Sequence, residues 1–197
     1  SWADLWRKDL KGYVTLPAIS TTNGPATVFM LARALGGGMD NTEPLWPRLG
    51  ELAGNLVTLY RNSSEMLTLV KQGEAWVGAY PSFSWGQLLD TKLPLKAVIP
   101  KEGLTGFQSI VSVVKGAKNV DLAHKYIDWI LSEPLQRQQA LDLVDSPTNR
   151  RVVVPAEIAP KLTYGDEVIK SLTFMDEVKV AAVLPDWVKR WNAAMAK

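Results

Sequence analysis

The stretch from Gly73 to Gly103 constrains the fold most. It holds two short apolar runs, Trp76-Val77-Gly78-Ala79-Tyr80 and Leu95-Lys96-Ala97-Val98-Ile99, closed by Pro81-Ser82 and Pro100-Lys101-Glu102-Gly103. Apolar runs of this length without strict alternation, bounded by glycine and proline, suit strands buried on both faces of a parallel sheet. The residues between, Ser82 to Leu89, can form a short crossover helix. In open parallel sheets ligands bind beyond the carboxyl ends of the strands. Tyr80, Pro81 and Ser82 are therefore expected at the rim of a site.

The same rhythm runs upstream. Tyr13-Val14-Thr15-Leu16 reads as a strand, and a helix starting near Pro25 ends at Gly36-Gly37-Gly38. A helix over Glu43 to Ala53 precedes the strand Leu56 to Tyr60, and Asn62-Ser63-Ser64 caps another helix that Gly73 stops. The fold class is α/β: a doubly wound, mainly parallel sheet containing strands near Val14, Val57, Val77 and Ala97. Beyond Gly103 we expect a strand at Ile110 to Val114 and helices over Asn119 to Leu131 and from Ser132-Glu133-Pro134 to about Val144. Short helical pieces at Leu172-Thr173-Phe174 and a final helix from Pro185 follow.

Most catalytic chemistry is excluded by composition. The chain has no cysteine, which removes disulfides, thiolate metal sites and a cysteine nucleophile. A single histidine, His124, leaves no second imidazole for a metal site and no ordinary Ser–His–Asp triad. Asp166-Glu167 and Asp176-Glu177 are adjacent pairs whose members do not face each other, and they read as solvated surface. The balance of 22 basic and 20 acidic residues leaves +2, so nucleic acid is not an expected partner. No apolar stretch reaches membrane-spanning length. Most of the eight tryptophans fall where helices or strands would bury them. No cofactor is expected, and the chain does not read as an enzyme.

The remaining candidate is a binding site at three strand ends. Thr22, Asn23 and Gly24 lie where the first strand meets a helix N-terminus, whose free amides and dipole favour a carboxylate. Asn62 and Ser63 follow the next strand, and Tyr80 and Ser82 the third. Each cluster is also explicable as a helix cap.

Ser1-Trp2-Ala3-Asp4-Leu5-Trp6, Gly73-Glu74-Ala75, Pro100-Lys101-Glu102-Gly103 and Ser146-Pro147-Thr148-Asn149, in this order, resemble the periplasmic solute-binding proteins of ABC importers, and most closely the spermidine/putrescine-binding family. The resemblance implies two α/β lobes of the type II periplasmic-binding fold that close on a small-molecule solute, and a membrane permease as partner. It assigns residues 1–107 and 152–197 to the ligand-binding lobe and 108–151 to part of the first lobe. It also implies an exported, periplasmic protein whose signal peptide and N-terminal lobe segment precede Ser1. The exposed apolar stripes of such a fragment are expected to self-associate. Family ligand positions fall at Tyr80, Phe107 and Ser109, and Asp176 joins the ligand-binding set. Polyamine binders carry carboxylates in the loop that here is Thr22-Asn23-Gly24-Pro25. That neutral turn favours a carboxylate-bearing, amino-acid-like or opine-like solute. The alternative is the ligand-sensing effector domain of a LysR-like transcription regulator.

Overall fold

The computed structural model describes residues 1–196. Along the chain its elements are β1 (Val14–Pro17), α1 (Gly24–Ala34), α2 (Trp46–Ala53), β2 (Leu56–Tyr60), α3 (Ser63–Lys71), β3 (Val77–Gly78), α4 (Trp85–Leu89) and β4 (Leu104–Gly106). There follow α5 (Val120–Ile130), α6 (Glu133–Leu141), α7 (Asp166–Ser171), β5 (Leu172–Phe174) and α8 (Glu177–Met195). The chain divides into two compact units: Ser1–Pro81 with Thr91–Gly106 and Ser171–Lys197, and Ser82–Asp90 with Phe107–Lys170.

The first unit is built on β1. Its four residues are all buried, as expected for a strand covered on both faces. It pairs in parallel with β2 on one side and β3 on the other, giving the order β2-β1-β3. Val14 and Leu16 pack with Val28 and Leu31 of α1, Leu49 and Leu52 of α2, and Trp187 and Trp191 of α8. Met66 of α3 lies against Gly78 of β3, where a Cβ would meet its methyl carbon at 2.7 Å and the Thr15 carbonyl at 2.9 Å. Arg190 of α8 ties α2 down, with its guanidinium 4.5 Å from the Trp46 ring centroid and a two-pronged contact to Glu43 at 2.6 and 2.8 Å. A second, two-stranded parallel sheet joins β4 to β5.

The second unit has a small core of Ala140, Val152, Val154 and Leu162. Gln136, buried at the start of α6, organises the Ser146-Pro147-Thr148-Asn149 loop. Its carbonyl oxygen accepts the amides of Thr148 at 3.0 Å and Asn149 at 2.7 Å, while its NH₂ donates to the Ile130 carbonyl at 3.3 Å. The Asn149 side chain in turn donates to the Leu131 carbonyl at 2.8 Å. None of the residues of α5 is buried, and Leu122, Tyr126 and Trp129 on it are exposed.

Four expectations from the sequence are corrected. Leu95–Ile99 is not a strand: the run lies between Pro94 and Pro100, pairs with no neighbour among the described residues, and leaves Val98 and Ile99 exposed. Ile110–Val114 likewise pairs with nothing among the described residues, and both end residues are exposed. Leu172–Phe174 is extended rather than helical, because it finds Leu104–Gly106 as a parallel partner. The final helix starts eight residues before Pro185, at Glu177. Asp176 caps it by accepting the Val178 and Lys179 amides at 3.0 and 3.2 Å, and Pro185 is tolerated inside it. The crossover helix expected after Ser82 forms as α4, but no strand follows it in the sheet.

Candidate functional site

Because β1, β2 and β3 are parallel, their carboxyl ends share one edge, and the chain leaving each end carries polar residues. After β1 the chain makes two tight turns. The Thr21 amide donates to the Ala18 carbonyl at 2.9 Å and the Gly24 amide to the Thr21 carbonyl at 3.0 Å. Gly24 is buried against the Ile19 backbone so closely that a Cβ would lie 2.4 Å from the Ile19 carbonyl oxygen. Only glycine permits this approach. It seats the N-terminus of α1 over the strand end, with Pro25 inside the first turn.

At that N-terminus the Asn23 side chain makes no cap, and the amides of Thr22, Asn23 and Ala26 donate to no acceptor among the described residues. Thr22 is exposed and Asn23 half-buried. Amide dipoles left open at a helix start attract negative charge.

After β2 the polar groups are already engaged. The Asn62 side-chain oxygen accepts the Glu65 amide at 3.0 Å, its NH₂ donates to Glu65 Oε1 at 3.1 Å, and Glu65 Oε2 accepts the Arg61 amide at 2.6 Å. This reciprocal cap starts α3 and occupies Asn62. A shallow depression of about 610 Å³ beside it is lined by Thr58, Leu59, Arg61, Asn62, Ser64 and Thr68 among others. After β3 comes Tyr80, half-buried, whose hydroxyl faces the Ser63 carbonyl at 3.5 Å. Its ring is tilted against that of Tyr60, with centroids 6.5 Å apart.

The remaining candidates lie elsewhere. Asp176 is exposed at the end of β5, and its carboxylate is taken up by the α8 cap. Ser82, Phe107 and Ser109 belong to the second unit. There the Ser82 hydroxyl is 3.3 Å from that of Thr163, and Phe107 meets Phe83 edge to face at 6.0 Å. Ser109 is exposed.

Sequence reasoning passed over Tyr60. It is the last residue of β2, 3% exposed, and its hydroxyl donates to the Ala79 carbonyl at 2.6 Å. Burial, and then the nearness of Tyr80, push its phenol well above the usual tyrosine range. A tyrosine closing an apolar strand signals only packing; the partner 19 residues away is visible only in three dimensions.

No group of metal-binding side chains occurs among the described residues, and no described helix is long and apolar enough to cross a membrane.

Comparison with known proteins places this arrangement. The chain is 28% identical over 193 residues to the spermidine/putrescine-binding periplasmic protein of Escherichia coli, covering 92% of this chain and 53% of that one. It spans about half the length of the curated relatives it matches. It superposes on an ABC transporter structure from Clostridium perfringens with a TM-score of 0.75 and 32% identity, covering 99% of this chain and 62% of that one. A spermidine/putrescine ABC transporter substrate-binding protein from Streptococcus pneumoniae shares the fold, with a TM-score of 0.70 at 19% identity over 98% of this chain and 62% of that one. The family model for bacterial extracellular solute-binding proteins matches residues 1–169. With a parallel α/β unit that presents its polar residues at the carboxyl ends of its strands, the chain belongs to the bacterial extracellular solute-binding protein family.

Proposed function

We propose that this chain is the solute-capturing part of an ABC importer, working outside the cytoplasmic membrane and delivering a small amine- or carboxylate-bearing solute to a membrane permease. Residues 1–107 and 152–197 supply the ligand-binding lobe in this proposal, and 108–151 part of a second. The family match over residues 1–169 supports capture rather than the sensing of an effector by a transcription regulator.

One observation carries the choice of solute. The turn before α1 is uncharged, and its Asn23 side chain and three amides are unpartnered among the described residues. An ammonium group needs opposed negative charge to offset its desolvation, whereas open amides at a helix start suit a carboxylate. Tyr80 offers an aromatic face to an alkyl chain or to an ammonium group on the same solute. The polyamine-binding names of the relatives support the competing choice, a polyamine whose ammonium groups are held by other residues.

Isothermal calorimetry on the full-length protein separates the two. γ-Aminobutyrate and α-amino acids should bind more tightly than putrescine and spermidine. Asn23→Asp should weaken the carboxylate ligands by about 1–3 kcal/mol, because it sets like charge beside the carboxylate. Tight putrescine or spermidine binding with no heat from the carboxylate compounds would reverse the assignment.

A further inference from the structure

We propose that Tyr60 is the positioning residue that holds the three strand ends in register at the solute edge, and so orients Tyr80. The proposal rests on the capture function above and extends it to a residue buried beneath the site.

Three contacts meet at Tyr60. As the last residue of β2 it leads directly into Asn62 and Ser63. Its main-chain carbonyl accepts the Ala18 amide at 2.8 Å, just past the end of β1, so it fixes the start of the turn that carries Thr22 and Asn23. Its hydroxyl donates to the Ala79 carbonyl at 2.6 Å, just past the end of β3. One residue therefore touches the exits of all three strands.

The third contact matters most because β3 is so short. Its ladder with β1 consists of Val14 opposite Val77 and Thr15 opposite Gly78, and stops there, two residues before Tyr80. β1 and β2, by contrast, stay paired as far as Pro17 opposite Tyr60. Where the ladder would continue past Gly78, the Tyr60 hydroxyl supplies the cross-connection to Ala79. Tyr80 has one further polar tie, the 3.5 Å approach of its hydroxyl to the Ser63 carbonyl, too long to hold the ring alone. The Tyr60 ring is enclosed, so its hydroxyl has no water to exchange for the Ala79 carbonyl.

Tyr60→Phe keeps the ring and removes the one hydroxyl. Hydrogen–deuterium exchange on the unliganded protein reads the positioning directly. The amides of Val77 and Gly78, in the short β3 ladder that the hydroxyl secures, should exchange about tenfold faster in the variant, while that of Ala18, held by the unchanged Tyr60 carbonyl, should not change. Exchange at Val77 and Gly78 equal to wild type overturns the proposal, whether or not any solute binds.

Calorimetry with the tightest solute of the amino-acid and polyamine panel adds the functional half. Tyr60→Phe should weaken it about five- to tenfold in the wild-type background and less than about twofold in a Tyr80→Ala background. Equal losses in both backgrounds would show that Tyr60 does not act through Tyr80. A wild-type protein that binds none of the panel refutes the capture function itself, and leaves the exchange result standing as a statement about the fold.

Discussion

Replacing Gly24 with alanine tests whether the turn before α1 is as tightly seated as it looks. An alanine Cβ would lie 2.4 Å from the Ile19 carbonyl oxygen and 2.6 Å from its carbonyl carbon and Cα, against about 3.4 Å for ordinary contact. Relief requires a shift of about 1 Å. Neither side yields easily. Ile19 is buried in the main core, flanked by the Ala18–Tyr60 and Thr21–Ala18 hydrogen bonds, and α1 is pinned through Val28 and Leu31. Overpacking against movable side chains costs about 1–3 kcal/mol, and here the obstacle is backbone, so the upper end of that range applies. Alanine recovers about 0.4–1 kcal/mol by restricting the unfolded chain. The net loss should be about 2 kcal/mol. With a urea slope of about 2 kcal/mol/M, the unfolding midpoint followed by tryptophan fluorescence should fall by about 1 M. Trp187 and Trp191 lie in the same core and report on it. A midpoint unchanged within about 0.2 M, or raised, would refute the steric account.

Three further outcomes are expected. Trp191 is 1% exposed with its indole N–H unpartnered among the described residues, so Trp191→Ala should cost about 3–5 kcal/mol in urea unfolding and Trp191→Phe much less, since no hydrogen bond is lost. Gln136→Ala strips the shared acceptor from the Thr148 and Asn149 amides; a loss of about 1–3 kcal/mol and faster amide exchange over 146–151 should follow. Tyr60 holds its proton in the folded state at pH values where an unfolded tyrosine, with its ordinary pKa of 10.0, has released it. The folded form therefore binds more protons there, and stability should fall as pH rises above about 10, with a shallower fall in Tyr60→Phe.

Much of the first unit was legible from apolar runs and helix punctuation. Val14–Pro17 and Leu56–Tyr60 are short, apolar and bounded by breakers, and both became strands of one parallel sheet. Pro25 and Asn62-Ser63-Ser64 marked the starts of α1 and α3. Leu95–Ile99 carries the same local signal and is unpaired, because a strand is completed by a partner that local composition does not reveal. Leu172–Phe174 shows the converse: three residues too few for any periodicity became extended once Leu104–Gly106 lay alongside. The site divides in the same way. That the polar clusters follow strand ends was readable, as a consequence of parallel pairing. That Asn62 and Asp176 are consumed by their own caps, while Asn23 is not, depends on side-chain geometry a few residues wide. The Tyr60–Ala79 bond is a tertiary contact with no sequence trace.

The first unit is sewn from three separate stretches of chain, and the last of them delivers α8, whose Trp187 and Trp191 fill the space between α1, α2 and β1. On a ribosome, β1 through α3 emerge long before those indoles do. At about 5–20 residues per second, the gap between Lys71 and Trp187 leaves the inner face of the sheet uncovered for roughly 6–23 s. Throughout that interval Leu16, Leu31, Leu45 and Leu49 have one another but lack the Trp187 and Trp191 rings that complete their core, so this unit closes only after α8 has been made.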